Sequence, residues 1–122
     1  MHFEIIGTSP EKLRAFYGEL FDWQFDTTAE VHHAVSPPGG YGFTDENTTP
    51  AGVDIPGGVG GGDGFDHKVL FYVGVSEVEA ALQEAERLGG ARVLGPEASP
   101  AGLVIGQFTD PEGHLIGLAE VL

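Results

Sequence analysis

Cysteine is absent from the chain, and basic side chains nearly so: five Lys and Arg stand against 19 Asp and Glu, for a formal charge of −14. Without thiols there is no disulfide framework, no zinc knuckle and no cysteine nucleophile. The acidic excess repels phosphate backbones and argues against nucleic-acid binding of the counterion-release kind. The same charge serves solubility, the more economical reading, or draws in a cationic ligand. Long apolar runs are also lacking. None approaches the ~20 residues that cross a bilayer. Residues 1–6 run directly into a strand-like pattern with no basic region or cleavage site, so the expectation is a cytoplasmic protein that does not engage a membrane.

What is present suits one globular domain over residues 1–122, 41% hydrophobic. Phe3 to Ile6 is β-prone. Ser9, Pro10 and Glu11 form a helix start, with Ser9 as N-cap, and Leu13, Phe16, Tyr17 and Leu20 then make one apolar stripe read as core packing. Trp23, Phe25 and Thr27 alternate with polar residues as in a half-buried strand. His32 to Val35 extends strand structure up to Pro37 and Pro38, Tyr41 to Thr44 is a further strand, and Asp45 to Pro56 reads as loop. The glycines between Gly57 and Gly64 fail as a phosphate loop, because no Lys-Ser/Thr follows and no G-x-G-x-x-G fits. They read instead as a glycine-rich strand leading into a flexible linker, with room for a ligand or another backbone to approach.

Lys68 to Val75 is the strongest strand pattern. Ser76 and Glu79 have the spacing of a capping box, Val78, Ala81, Leu82, Ala85 and Leu88 form a buried stripe, and Gly89-Gly90 stops the helix. Ala91 to Leu94 is a strand and Pro96 to Gly102 a loop. The chain closes on a hairpin, Leu103–Phe108 and Leu115–Leu118 about an Asp110-Pro111-Glu112-Gly113 turn. The order is β-α-β-β-β twice, a repeat of pattern rather than of residues, with module one at about 1–64 and module two at about 67–122. A single such unit leaves one sheet face bare. The fold class is therefore α+β, two βαβββ modules forming curved sheets around a cleft with the helices outside.

His2-Phe3-Glu4-Ile5, Phe16-Tyr17 with Leu20-Phe21-Asp22-Trp23, Val73-Gly74-Val75 leading to Glu79-Ala80-Ala81, Leu88-Gly89-Gly90 and Asp110-Pro111-Glu112-Gly113-His114 stand in an order that resembles the vicinal oxygen chelate superfamily. That is the glyoxalase, bleomycin-resistance and extradiol dioxygenase group, and the chain is similar to its small glyoxalase-like members. The resemblance implies four metal ligands, usually His and Glu, on the first, fourth, fifth and eighth strands. Carried over position by position, they fall on His2, somewhere in Gly57 to Asp63, on Leu70 and on Gly117. Leu70 and Gly117 offer no donor atom and the glycine stretch offers no His or Glu, so no metal and no other cofactor is expected. His67, His114 and the His32-His33 pair lack ligand spacing and read as exposed loop histidines.

Alternation puts His2, Glu4 and Ile6 on one face of the first strand, and Leu70 and Tyr72 on one face of the fifth. The expected ligand-binding set is His2, Glu4, Trp23, Phe43, Leu70, Phe71, Tyr72, Gln107, Phe108 and Gly117. The function expected is metal-independent binding of a small molecule, cationic by the charge argument, in the cleft between the modules. The alternative is a lyase or isomerase with Glu4 and His2 as acid-base catalytic groups or with an atypical divalent metal. The resemblance further implies a homodimer.

Overall fold

The computed structural model describes residues 1–44 and 55–120. The chain divides into two compact units, Met1–Val69 and Leu70–Leu122. The first contains β1 (His2–Gly7), α1 (Pro10–Phe21), β2 (Phe25–Asp26), β3 (Gly42–Thr44) and β4 (Gly57–Gly61). Its strands lie in the order β2-β3-β4-β1, with β1 and β4 parallel and the other pairs antiparallel. β5 (Lys68–Val75) leads into the second unit, which continues with α2 (Val78–Arg87), β6 (Ala91–Ala98), β7 (Val104–Thr109) and β8 (Leu115–Glu120). Here the order is β5-β8-β7-β6, with β5 and β8 parallel and the rest antiparallel. The α+β class and the repeated β-α-β-β-β pattern are as expected.

Strand alternation decides which side chains meet the helices. In β1 the odd-numbered residues face α1: a Cβ on Gly7 would stand 2.7 Å from the Leu13 side chain, and the Phe3 ring packs 5.2 Å from that of Trp23. In the second unit Val78 and Leu82, four residues apart on α2, are fully buried against Leu118, with Val75, Ala81, Val104 and Phe108 around them. Each such burial contributes about 1.5–3 kcal/mol. The closing hairpin forms as expected. Asp110 accepts the backbone N–H of Gly113 through its carbonyl, at 2.9 Å. Its carboxylate accepts the N–H groups of His114 and Glu112 at 3.0 Å each, which hold that carboxyl below its usual range. Gly113 takes φ +92, the left-handed region that a side chain would disfavour.

Several local expectations are corrected. Ser9 precedes α1, but its side chain makes no capping hydrogen bond. The Ser76–Glu79 capping box does not form: α2 starts at Val78 with Glu77 at the cap position. The Val78 N–H donates instead to Glu120 on β8 at 3.1 Å, and Glu79 takes both terminal nitrogens of Arg92, at 2.6 and 2.8 Å. A charge-assisted fork outcompetes a weak reciprocal cap. The apolar stripes are narrower than read: Phe16 and Leu20 are each 58% exposed and Leu88 63%.

β2 is only two residues long, and His32–Val35 is a turn in which the Val35 N–H donates to the His32 carbonyl. β6 runs past Leu94 and through Pro96 to Ala98, with irregular pairing there; as the edge strand it tolerates a residue without an N–H. Gly57–Gly61 belongs to β4, so the linker is shorter than the glycine run suggested. Most of the loop expected at Asp45–Pro56, residues 45–54, lies outside the described residues.

Candidate functional site

The polar face of the first unit is organised by missing side chains on β4. A Cβ on Gly57 would overlap the Phe3 ring, and a Cβ on Gly58 would overlap the ring of Tyr41. Gly60 is likewise covered by Tyr41. Successive strand residues point to opposite faces, so Phe3 fills the helix side and Tyr41 the other side. What approaches the glycine strand is therefore a pair of aromatic rings from the same unit. Tyr41 is 2% exposed and lies across β4, so that its hydroxyl reaches the Nε2 of His2 on β1 at 3.1 Å. The Phe43 ring packs 4.8 Å from Tyr41 and 5.8 Å from His2.

His2 sits largely out of water. Burial first, and the nearby N-terminal ammonium second, lower its pKa from 6.5 to about 4. The imidazole is thus neutral at physiological pH, donor at one nitrogen and acceptor at the other according to tautomer. Glu4, two residues on, shares its face by alternation and is 3% exposed. A carboxyl so placed is one of four buried polar side chains among the described residues, with Ser36, Thr44 and Gln107.

The second unit repeats the device in reverse. Tyr72 on β5 stands beside Gly117 on β8, which stands beside Gln107 on β7. A Cβ on Gly117 would overlap the Tyr72 ring. With no side chain there, the ring crosses β8 and its hydroxyl accepts a hydrogen bond from the Gln107 amide at 2.9 Å, both residues being buried. Leu70, 4% exposed, shares the Tyr72 face by alternation.

The structure sorts the expected residues accordingly. His2 and Phe43 come together around Tyr41, with Glu4 on the same face. Tyr72, Gln107 and Gly117 come together in the other unit. Three aromatics face away from these groups. Trp23 packs with Phe3, Tyr17, Phe21 and Phe25 on the α1 side. Phe108 joins the Val78–Leu82 core, and Phe71 alternates with Tyr72 and is 41% exposed. Tyr41 is the residue that sequence reasoning missed. Its signal was available: a tyrosine beside a strand of glycines has a slot to lie in.

The metal positions carried over from the family resemblance can now be tested. Leu70 is a buried hydrocarbon, the space beside Gly117 holds the Tyr72 ring, and that beside Gly58 and Gly60 holds Tyr41. Among the described residues no group of three or more His, Cys, Asp or Glu could hold a metal ion. The residues present do not fit the family's divalent ion. The loop histidines do not supply one either: His114 pairs with Asp110 at 3.0 Å, and His32 and His33 stack 4.2 Å apart.

The sequence profile of the glyoxalase/bleomycin resistance protein/dioxygenase superfamily matches residues 1–118, and the chain belongs to that superfamily. No curated protein matches it. Among solved structures it is similar to methylmalonyl-CoA epimerase from Streptomyces coelicolor, at 16% identity and a TM-score of 0.67, covering 98% of this chain and 94% of that one. The Mycobacterium tuberculosis methylmalonyl-CoA epimerase is similar at 14% identity and 0.64, covering 99% and 86%. A Legionella pneumophila structure described as an NAD-dependent benzaldehyde dehydrogenase gives 14% and 0.61, covering 99% and 98%. At such identities the likeness is one of fold. No helix among the described residues is long and apolar enough to cross a membrane.

Two outcomes follow from this geometry. Gly117→Ala overpacks the ring above it and costs about 1–3 kcal/mol. In a Tyr72→Ala background the same change costs much less, so denaturant unfolding of the cycle gives a coupling energy of about 1 kcal/mol or more; additivity would remove the ring-in-slot account. The second outcome concerns pH. The unfolded chain protonates His2 near its ordinary 6.5, whereas the folded chain does so only near 4. His2 therefore contributes full stability above about 6.5, and that contribution falls as pH drops towards 4. Imidazole proton resonances followed by NMR give a midpoint well under 6 for His2, and His2→Phe flattens the stability profile between those limits.

Proposed function

We propose that this chain is a metal-independent small-molecule-binding protein of the glyoxalase/bleomycin-resistance type. The candidate ligand-contacting residues are His2, Glu4, Tyr41 and Phe43 in the first unit and, taken separately, Tyr72 and Gln107 in the second. The observation that supports this reading most is the filling of the fourth- and eighth-strand positions by tyrosine rings over Gly58 and Gly117. A face of aromatic rings with a few fixed polar atoms suits an organic ligand, oriented by hydrogen bonds rather than by coordination. Glu4 and the −14 charge favour a ligand bearing an amine or another cationic group.

A second reading, a lyase or isomerase, is favoured by one specific observation. Glu4 is a nearly inaccessible carboxyl on the same face as an imidazole that burial keeps neutral. Such a pair can take a proton from carbon and return it. The two readings share the ligand and differ in what Glu4 does to it.

The deciding experiment is a thermal-shift screen of amines and natural-product antibiotics, repeated after chelation. A binder at about 100 times its Kd adds about 2.7 kcal/mol, roughly 10 °C for a domain of this size. The expected shift survives chelation. Stoichiometric divalent metal whose removal abolishes the shift sinks the metal-free reading. If an identified ligand is also turned over, Glu4→Gln abolishes turnover while retaining binding; full turnover in that variant removes Glu4 from the chemistry.

The protein is further proposed to act as a homodimer. Module two exposes Leu88, Val93 and Leu103 by 63, 54 and 47%, with Val93 on the edge strand β6, and a second copy is proposed to cover part of this apolar area. Sedimentation at micromolar concentration is expected to show a species of twice the 12.8 kDa chain. A monomer alone refutes it.

A further inference from the structure

The first unit holds a concavity on the α1 side of β1. It has a volume of about 690 Å³, within the ~300–1,000 Å³ range of small-molecule pockets. Its apolar walls are Ile5, Leu13, Phe16 and Val69. Phe16 and Val69 are 58% and 73% exposed, so large hydrocarbon surfaces stand open to solvent there. Ile5 and Gly7 alternate with Glu4 along β1 and Leu13 and Phe16 come from α1, so the pocket lies mainly on the face of β1 opposite His2, Glu4 and Tyr41, although Ile6 is also part of its lining.

Its charge is opposite to that of the rest of the chain. Lys12 and Lys68 line it, and they are the only two lysines in the sequence. His67 lines it too, and among the described residues no carboxylate side chain does. Glu11, in the first turn of α1, is exposed and stands outside the wall. Glu11 and Asp66, exposed sequence neighbours of Lys12 and His67, temper the positive charge from outside the wall, while charges beyond ~8 Å are largely screened at physiological ionic strength. The start of α1 at Thr8 and Ser9 forms another part of the wall and adds a small favourable contribution for an anion.

We propose that this pocket binds a small amphipathic carboxylate, its hydrocarbon body against Ile5, Leu13, Phe16 and Val69 and its anionic head between Lys12 and Lys68. Neither half of that chemistry works alone. A hydrophilic anion leaves the open apolar wall wet, and a neutral or cationic hydrocarbon leaves the lysines without a partner. The inference stands apart from the proposed function, because it concerns the other face of β1 and a ligand of opposite charge.

The probe is octanoate, below its micelle concentration, titrated into the intact chain with backbone NMR and calorimetry. One-to-one binding is expected, with the largest shifts at Ile5, Leu13 and Val69. Octan-1-ol and octylamine, with the same hydrocarbon body, should bind about tenfold more weakly or worse. The Lys12→Gln/Lys68→Gln double variant should bind octanoate no better than it binds octan-1-ol. Both lysines are at least partly exposed, so folding is expected to persist, checked by the melting curve; Phe16→Ala, also at an exposed position, should weaken all three probes.

Equal binding of octylamine and octanoate overturns the proposal, as does a double variant with unchanged octanoate affinity. Shifts confined to His2, Glu4 and Tyr41 would assign octanoate to the other face of β1 and equally overturn it. Dissociation of a dimer by octanoate, seen in parallel sedimentation, would show that a second copy occupies this pocket instead. Failure here leaves amine binding, chelation and Glu4→Gln results unaffected.

Discussion

A tyrosine ring lying where a strand has no side chain is the contact on which the polar half of each unit depends. In the first unit the ring of Tyr41 enters from the β3 side, crosses β4 over Gly58 and Gly60, and delivers its hydroxyl to His2 on β1. In the second, Tyr72 enters from β5, crosses β8 over Gly117, and delivers its hydroxyl to Gln107 on β7. The direction is reversed and the principle is the same. A glycine gives up strand propensity and conformational entropy, and that cost is offset by burying a whole aromatic ring whose polar tip finds a partner. Removing the hydroxyl from either ring would leave a buried group short of a hydrogen bond, a loss of about 1–3 kcal/mol.

From this contact the electrostatics of the first unit follow. A ring pressed against β4 keeps water from His2, and desolvation is the largest cause of its low pKa. A neutral imidazole can serve as both donor and acceptor, which a metal-bound or protonated one cannot. The same sheet uses its other face differently. There Phe3 fills the space above Gly57, Trp23 and Tyr17 close over it, and further along β1 the surface opens into the lysine-lined pocket. One six-residue strand thus separates a hydrogen-bonding face from an apolar face with positive charge at its margin.

Much of the scaffold could be read from residue order, because it rests on periodicity and on turn chemistry. β5 was legible to the residue, and so was the Asp110–Gly113 turn. Helix starts were less so. Ser76 and Glu79 have the spacing of a capping box, but Arg92 lies thirteen positions beyond Glu79 and offers its carboxylate two charged hydrogen bonds, which no local pattern reveals. Edge position explains β6: Pro96 looks like a strand breaker until the missing partner strand makes its absent N–H harmless. The site was half legible. Alternation groups Leu70 with Tyr72 and separates Ile5 from Glu4, in keeping with the burial of Leu70, Tyr72 and Glu4. Aromatic type alone, without facing, drew in Trp23, Phe71 and Phe108. Tyr41 escaped because its role depends on glycines more than fifteen residues downstream, across a segment that carries no periodic signal.

Gly117 acquires a second meaning from the Tyr72 ring. As a sequence feature it is a ligand position without a ligand, a gap that one substitution could in principle refill. In the folded unit it is no gap, since the ring occupies the volume into which a new side chain would grow. A carboxylate placed there would have to expel Tyr72, break its bond to Gln107 and still find Leu70 without a donor atom. In the first unit, a ligand on β4 would have to displace Tyr41 from Gly58 and take with it the hydrogen bond to His2. Each ring therefore both fills the space that a ligand at its position would need and ties up a neighbouring polar group. Packing density makes such an arrangement hard to reverse by single steps. That is the physical reason for reading this member of a family known for coordination chemistry through its hydrogen bonds instead.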